Sequence, residues 1–339
     1  MRAYQLTGKG LEGLTPVELR IPQPGPTQLL VRMHAASLNY RDLLVATNRY
    51  GQKEPKYPLV PLSDGSGEIV EVGSLVRQFA PGDRVVGNFF QKWSDGPFNK
   101  DKSGSALGGG AQNGVLADYV LFEADASVRI PDTLTFAEAS TLPCAGLTAW
   151  VALVVAGDLK AGEIVLAMGT GGVSLFGLQI AQRMGASVVI TSSSDEKLAR
   201  AQALGADMLV NYTSNPDWDE RVLELTGRRG VDHVLEVGGR GTLPASFRAT
   251  REGGHIALIG LLTGTFPNVN SANENDRSVR ISAIYVGSTR QLSDFVEFIT
   301  VSGIKPVVDR VFPFEQARAA YDCLAAQQHF GKIVIGIRD

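Results

Sequence analysis

The 339 residues carry 32 basic and 35 acidic side chains, a formal net charge of -3 with a pI near 5.9. That balance excludes a nucleic-acid polyanion as the main partner, which selects a basic surplus. Hydrophobic residues at 44% and charged residues at 20% exclude general disorder, and the length exceeds the roughly 250–300 residues at which one core stops growing, so two domains are expected.

The opening MRAYQLTGKG has no basic region followed by an apolar run. The longest apolar stretch, near Trp150 to Ala156, falls far short of the ~20 residues that cross a bilayer. A soluble cytoplasmic protein with no membrane partner is expected. Cys144 and Cys323 lie far apart and neither belongs to a CxxC pair, so neither a disulfide framework nor a four-cysteine zinc site is supported.

From Gln28 to about Leu121, short β-type runs (LLVRMHAAS, GSGEIVEVG, DRVVGNFF) are separated by Pro and Gly turns such as Pro81-Gly82-Asp83. Within this β-rich region Gln91 to Gly114 is polar and holds six glycines, which predicts a long surface loop able to act as a lid. From Glu163 the apolar runs IVLAMG, SVVITS, MLVNY, DHVLEVG, HIALIG and VRISAIYVG alternate with helical segments such as Val173 to Met184 and Asp195 to Leu204. Six buried strands so spaced predict βαβ units on a parallel, doubly wound sheet, the α/β dinucleotide fold. After Ser288 come a helix over Arg290 to Val301, a strand near Val307, a helix over Phe314 to Gln327 and a closing strand, KIVIGI. These last pieces are expected to rejoin the N-terminal region, giving a discontinuous domain of 1–150 with 288–339 around a dinucleotide-binding domain of 151–287.

The strongest local signal is IVLAMGTGGVSLFG, a strand running into Gly169, Gly171 and Gly172 and then a helix beginning near Val173. Such a turn lets bare backbone approach a pyrophosphate at the positive end of the helix. Ser174 stands where the third glycine of GxGxxG belongs. About 20 residues on, where an NAD site places Asp or Glu, the sequence has Ser192, Ser193 and Ser194, with Lys197 and Arg200 beyond and Tyr212 ending the third strand. Hydroxyls and a lysine suit a 2′-phosphate, so NADPH is favoured over NADH. Ser194 also reads as a helix cap, and Asp195 could still serve NADH. Gly238, Gly260 and Gly287 end the fourth, fifth and sixth strands, and ligands of open α/β sheets bind outside those ends.

These residues resemble the medium-chain dehydrogenase/reductase superfamily, and within it the zinc-free quinone oxidoreductase and enoyl reductase branch, alcohol dehydrogenase-like in architecture. The markers are LNYRD at Leu38 to Asp42, PLSDGSGEIVEVG at Pro61 to Gly73, PGDRV at Pro81 to Val85, LPCAGLTAW at Leu142 to Trp150, the glycine loop, VNY ending at Tyr212, and GKIVI at Gly331 to Ile335. The resemblance implies a GroES-like β-rich catalytic domain joined to a six-stranded Rossmann domain, with the active site in a cleft, and a homodimer. At the positions matching the zinc ligands of metal-dependent relatives stand Asn39, Ser63 and Cys144. One thiolate cannot hold zinc, so no metal is expected. Cys144 then reads as a small buried residue rather than a reactive one.

Without a metal to activate an alcohol, reduction of an already electrophilic quinone or α,β-unsaturated carbonyl is the expected reaction. The resemblance to zinc-free relatives, with their Asn-x-x-Asp motif and a tyrosine eleven residues after the Asn, points to Asn39, Asp42 and Tyr50. Tyr50 is the candidate proton donor or oxygen-positioning group, or else covers a domain edge. Asn39 is expected to orient the nicotinamide or substrate, since an amide does not titrate; Asp42 also reads as a helix-start carboxylate. Thr148 matches a threonine that contacts the nicotinamide side. His34, His233, His255 and His329 match no hydrolase motif and read as structural. The sixth strand, Arg280 to Val286, is expected at a sheet edge, where pairing with its twin would protect it. The alternatives are a metal-free alcohol or aldehyde oxidoreductase and a non-catalytic NADPH-binding protein.

Overall fold

The structure, a computed structural model, describes residues 1–50, 55–260, 262 and 278–338. The strands, in chain order, are β1 (Arg2–Leu6), β2 (Leu14–Glu18), β3 (Gln28–Ser37), β4 (Asp64–Val72), β5 (Arg84–Gly87), β6 (Tyr119–Glu123) and β7 (Ser127–Arg129). Then follow β8 (Ile164–Ala167), β9 (Ser187–Ser192), β10 (Met208–Asn211), β11 (Val231–Glu236), β12 (Thr250–Leu258), β13 (Arg280–Ala283), β14 (Val308–Pro313) and β15 (Lys332–Gly336). They fall into two compact units, Met1–Leu147 with Val286–Asp339, and Thr148–Tyr285. Among the described residues no helix is long and apolar enough to cross a membrane.

In the first unit one sheet runs β14-β15-β3-β4-β5-β7, and β6 also pairs with β3. Strand β3 is long enough to be shared along one edge. Its first half, Gln28 to Arg32, pairs with β6, and its last residues, Ala35 to Ser37, pair with β15. On the other edge β4 follows it with two register shifts. Gly67 permits that approach, because a Cβ there would lie 2.2 Å from the Arg32 carbonyl oxygen. Leu29, Val31, Met33, Ile69, Val85 and Phe122 alternate inward to form the core. Beyond β3 the chain turns at Asn39 into a helix, Tyr40–Ala46.

The segment from Gln91 to Gly114 is not the open lid expected of so polar a stretch. Trp93 and Ala106 join Phe89 and Phe90 in a small apolar core, with Phe98 packed against it. Trp93 Nε1 donates to Gly96 O at 2.7 Å, and Leu107 N to Phe89 O at 3.0 Å. Its far side is fastened to the start of the helix Thr289–Ser302, whose Thr289 and Arg290 N–H groups donate to the Trp93 and Ser94 carbonyls. Two aromatics, Trp93 and Phe98, spread among glycines and charges are enough to fold the loop onto itself.

The second unit holds a parallel sheet in the order β10-β9-β8-β11-β12-β13. Numbered within the unit this is 3-2-1-4-5-6, the doubly wound dinucleotide fold, with its switch point between β8 and β11. Helices Gly172–Arg183, Asp195–Ala203, Trp218–Leu225 and Leu243–Ala249 fill the connections. The near-continuous burial of β8, β9 and β11 is what a sheet covered on both faces requires. The sixth strand corrects the expectation: β13 stops at Ala283, and its ends are exposed. Val286 takes a left-handed backbone with φ 57°, and Gly287 lies in the first unit, its carbonyl accepting from Asn88 Nδ2 at 3.2 Å. Gly287 therefore does not close a sheet strand, unlike Gly238 and Gly260, which follow β11 and β12.

Candidate active site

In the second unit the chain leaves β8 through Gly169, whose φ of 74° favours glycine, and enters the helix Gly172–Arg183 through Gly171. A Cβ added at Gly171 would meet nothing within 4 Å, so the protein's own packing does not demand glycine there. The space in front of the turn is open, and no side chain caps the helix that Gly171 begins. Open space before an uncapped helix start is what an approaching pyrophosphate requires, so Gly169, Gly171, Gly172 and Val173 fit a dinucleotide. The missing third glycine is explained locally. Ser174 is buried and turns its hydroxyl back onto Met168 O at 2.6 Å, while the close helix-to-strand contact falls one turn later at Gly177, against Leu235.

At the end of β9, Ser192 is paired in register with Asn211 of β10, and Tyr212 N donates to Ser192 O at 3.0 Å. Ser192, Ser193, Ser194, Lys197 and Tyr212 are thus gathered at the ends of two neighbouring strands. Ser192 is buried and accepts Ser194 N–H; Ser194 caps the next helix by accepting Lys197 N–H at 3.3 Å. Ser193 and Tyr212 face solvent. The first carboxylate beyond β9, Asp195, is taken by Asn211 Nδ2 at 2.7 Å.

One organising group escaped the sequence reading. Glu236, fully buried at the end of β11, accepts from Gly238 N at 2.8 Å, Gly239 N at 2.9 Å and Thr242 Oγ1 at 2.7 Å, and from the Ser246 hydroxyl. A single carboxylate thereby shapes the loop after β11. Gly260 packs on that loop so closely that a Cβ would lie 2.1 Å from Val237 O. Thr148, also in this unit, is buried in the short helical turn Leu147–Trp150 between two π-helical turns.

The first unit brings Asn39, Asp42 and Tyr50 together through Arg41. Asp42 is fully buried; it accepts Asn39 N–H at 2.8 Å and meets Arg41 Nη1 at 3.4 Å. Burial pushes its carboxyl up to about 6, against the pull of Arg41. Asp42 therefore holds the start of the helix, the structural role foreseen as its alternative. The Arg41 guanidinium donates to Leu107 O at 2.8 Å and lies 4.6 Å from the Phe89 ring centre and 5.2 Å from that of Tyr50. Tyr50 itself is 39% exposed.

The residues matched to zinc ligands also lie in this unit. Asp64, fully buried, accepts from the Ser63 hydroxyl at 2.6 Å and from Cys144 N at 2.9 Å. Lys332, from β15, is 3% exposed and donates to Leu38 O and Asn39 Oδ1. Burial pushes Asp64 up and Lys332 down, and each charge draws the other back. Burial and the Asp64 carboxylate push the Cys144 thiol well up. An amide, a hydroxyl, a single thiol and a neighbouring ammonium do not fit a zinc ion, which takes several deprotonated sulfur, imidazole or carboxylate donors. Among the described residues no group of three or more His, Cys, Asp or Glu could hold a metal.

The histidines are structural in their contacts. His34 stacks on Phe136 with ring centres 4.1 Å apart, and His233 Nε2 meets Glu163 at 2.9 Å. His255, 1% exposed, packs edge-on against His233, and burial pushes it down to about 4.

Two family models match the chain: alcohol dehydrogenase GroES-like domain over residues 25–132 and zinc-binding dehydrogenase over 172–301. The zinc-type alcohol dehydrogenase-like protein C1773.06c of Schizosaccharomyces pombe is 43% identical over 335 residues, covering 97% of this chain and 96% of the relative. The chloroplastic quinone-oxidoreductase QR1 of Triphysaria versicolor is 29% identical, covering 99% and 98%. A crystal structure of a putative alcohol dehydrogenase from Sinorhizobium meliloti 1021 superposes with a TM-score of 0.91 at 43% identity, covering 99% of this chain and 98% of that one. With the β-rich unit and the doubly wound sheet already in place, the chain belongs to the medium-chain dehydrogenase/reductase superfamily, in its quinone oxidoreductase-like branch, and is a nicotinamide-dependent oxidoreductase.

Proposed function

We propose that this oxidoreductase works without zinc, prefers NADPH to NADH, and reduces a quinone or an α,β-unsaturated carbonyl compound. The observation that carries the reading is the cluster at Asn39, Ser63 and Cys144. Where a metal would need several anionic or imidazole donors, the chain puts an amide, a hydroxyl and a lone thiol beside the ammonium of Lys332. Activation of an alcohol by a metal is thereby unsupported, whereas an electron-poor carbon accepts hydride with hydrogen-bond assistance alone.

Gly169, Gly171, Gly172 and Val173 hold the pyrophosphate, and Ser193, Lys197 and Tyr212 the 2′-phosphate, beside the helix start that Ser194 caps. A bound NADPH supplies a hydride. Tyr50 donates the balancing proton to the substrate oxygen or steadies the charge that grows there, and solvent can reprotonate it because the ring is exposed. Asn39 and Thr148 orient the reacting end. The other half of the partner reading is a homodimer: β13 is a sheet edge, and pairing it with the same strand of a second copy would protect it.

The test is to titrate metal-analysed protein with NADPH and NADH by nicotinamide fluorescence, then add a panel of quinones and enones. Tighter NADPH binding, oxidation by a panel member and absence of stoichiometric zinc support the reading; stoichiometric zinc overturns it. The alcohol dehydrogenase names of the 43% identical relatives favour a second reading, a metal-free alcohol or aldehyde oxidoreductase, so these substrates belong in the panel. Binding without any turnover would select the non-catalytic alternative. Light scattering giving a stable monomer at micromolar concentration would remove the dimer.

A further inference from the structure

Leu38 N donates to Ile333 O at 3.0 Å, which fastens the end of β3 to β15 and brings Asn39 under Lys332. The lysine is buried, bonds Leu38 O and Asn39 Oδ1, and faces the carboxylates of Asp64 and Asp42. Burying an ammonium is costly and persists only where acceptors surround it. What this arrangement achieves is visible in the asparagine. An Asn at a helix N-cap ordinarily turns its oxygen onto a backbone N–H of the first turn. At Asn39 the cap is a box, the Asn39 side chain turned to the Asp42 backbone N–H and the Asp42 carboxylate accepting Asn39 N–H, and Lys332 is a further donor on the same amide oxygen.

A lysine ammonium offers donors only, so the atom facing it is the amide oxygen, and the other end of the amide is set as Nδ2. That NH₂ group is buried and leans on the Asp64 carboxylate, which takes at most one of its two hydrogens. We propose that Lys332 is a positioning residue for hydride transfer: by holding Asn39 Oδ1 it sets the amide so that Nδ2 donates to a carbonyl oxygen at the reacting end. That oxygen belongs either to the nicotinamide carboxamide or to the substrate. The inference rests on the assignment of Asn39 to the reacting centre. Lys332 itself touches neither reactant.

The first readout needs no turnover. Dissociation constants are measured for NADPH and for 2′-phospho-ADP-ribose, which lacks the nicotinamide, with wild type and Lys332→Met. Lys332→Met/Asp64→Asn, which strands no carboxylate, replaces the single variant if that one fails to fold. If Nδ2 serves the nicotinamide, NADPH binding weakens about tenfold, the worth of one hydrogen bond, and 2′-phospho-ADP-ribose binding is unchanged. If it serves the substrate, both constants hold and kcat/KM for the quinone or enone falls about tenfold. In either case Asn39→Ala alone gives the same loss and Lys332→Met adds little to it. Additive losses, equal weakening for the two ligands, or no change in any readout overturn the proposal. A wild type that oxidises no acceptor defeats the reductase reading separately, and unchanged binding constants then defeat this one too.

Discussion

Gly177 is where the helix behind the glycine turn is pressed on β11. A Cβ there would lie 2.3 Å from Leu235 Cδ1, with Leu235 Cγ at 3.7 Å and Leu153 Cδ1 at 3.8 Å. Carbon atoms rest about 3.5–4.0 Å apart, so Gly177→Ala forces the buried Leu235 from its rotamer or the helix off the sheet. Overpacking costs about 1–3 kcal/mol, and so close an approach calls for the upper part, about 2–3; alanine in a helix returns about 1, leaving a net loss of about 1–2 kcal/mol. Leu235→Ala alone opens a cavity worth about 2–5 kcal/mol. The new methyl partly fills that cavity, so the double variant should lose at least about 1 kcal/mol less than the sum. Urea unfolding followed in each unit's own signal measures this, since a chain of two units need not unfold in one step. NADPH affinity should fall in Gly177→Ala and recover in the double variant, because the helix begins at the proposed pyrophosphate site. A neutral Gly177→Ala, or strict additivity, would refute the argument that Gly177 does the work of the absent third glycine.

Tyr50→Phe should lower kcat about tenfold or more while NADPH affinity holds; equal turnover in steady-state assays removes Tyr50 from the mechanism. Ser192→Asp puts a carboxylate at the end of β9 and should reverse the NADPH over NADH preference measured by fluorescence titration; retained NADPH preference would place the 2′-phosphate elsewhere. His255, pushed down to about 4 by burial, makes the unfolded chain the better proton binder between about pH 4 and 6.5. Its contribution is therefore complete above pH 6.5 and lost as pH falls, by at most about 2 kcal/mol at pH 5. Asp42, pushed up to about 6, slopes the other way across the same window, so the reading is the difference between wild-type and His255→Phe unfolding curves. Parallel curves would contradict the buried, neutral imidazole.

The parts of the molecule legible in the sequence are those whose cause is local. The helix over Asp195–Ala203 starts at the Ser194 cap, and β8 to β12 occur where unbroken apolar runs stand. The charges that organise the site were not legible, because their burial is decided by partners distant in the chain. Lys332 stands in the sequence as one letter of GKIVI, although a lysine opening an apolar strand is a usable signal. Glu236, closing the apolar run DHVLE, carries the same signal. Arg41 and Asp64 gave none. The Gln91 to Gly114 loop misled because composition averages over a stretch in which Trp93 and Phe98 do the packing. The sixth strand was read too long because the left-handed turn at Val286 falls on a β-branched residue, where such a backbone is rare.

The sharing of β3 between β6 and β15 has a consequence for how the chain is made. As the protein leaves the ribosome, the second unit has all its strands once residue 283 has emerged, but the edge of β3 beside Ala35 to Ser37 stays open until Val334 to Gly336 arrive. Through that interval the segment ahead of Asn39 lacks both its backbone partner, Ile333, and its cation, Lys332. The nascent chain therefore completes its doubly wound sheet well before its β-rich unit. A chain cut just before β15 should keep that order permanently, with a folded sheet of six strands attached to an N-terminal unit that never closes.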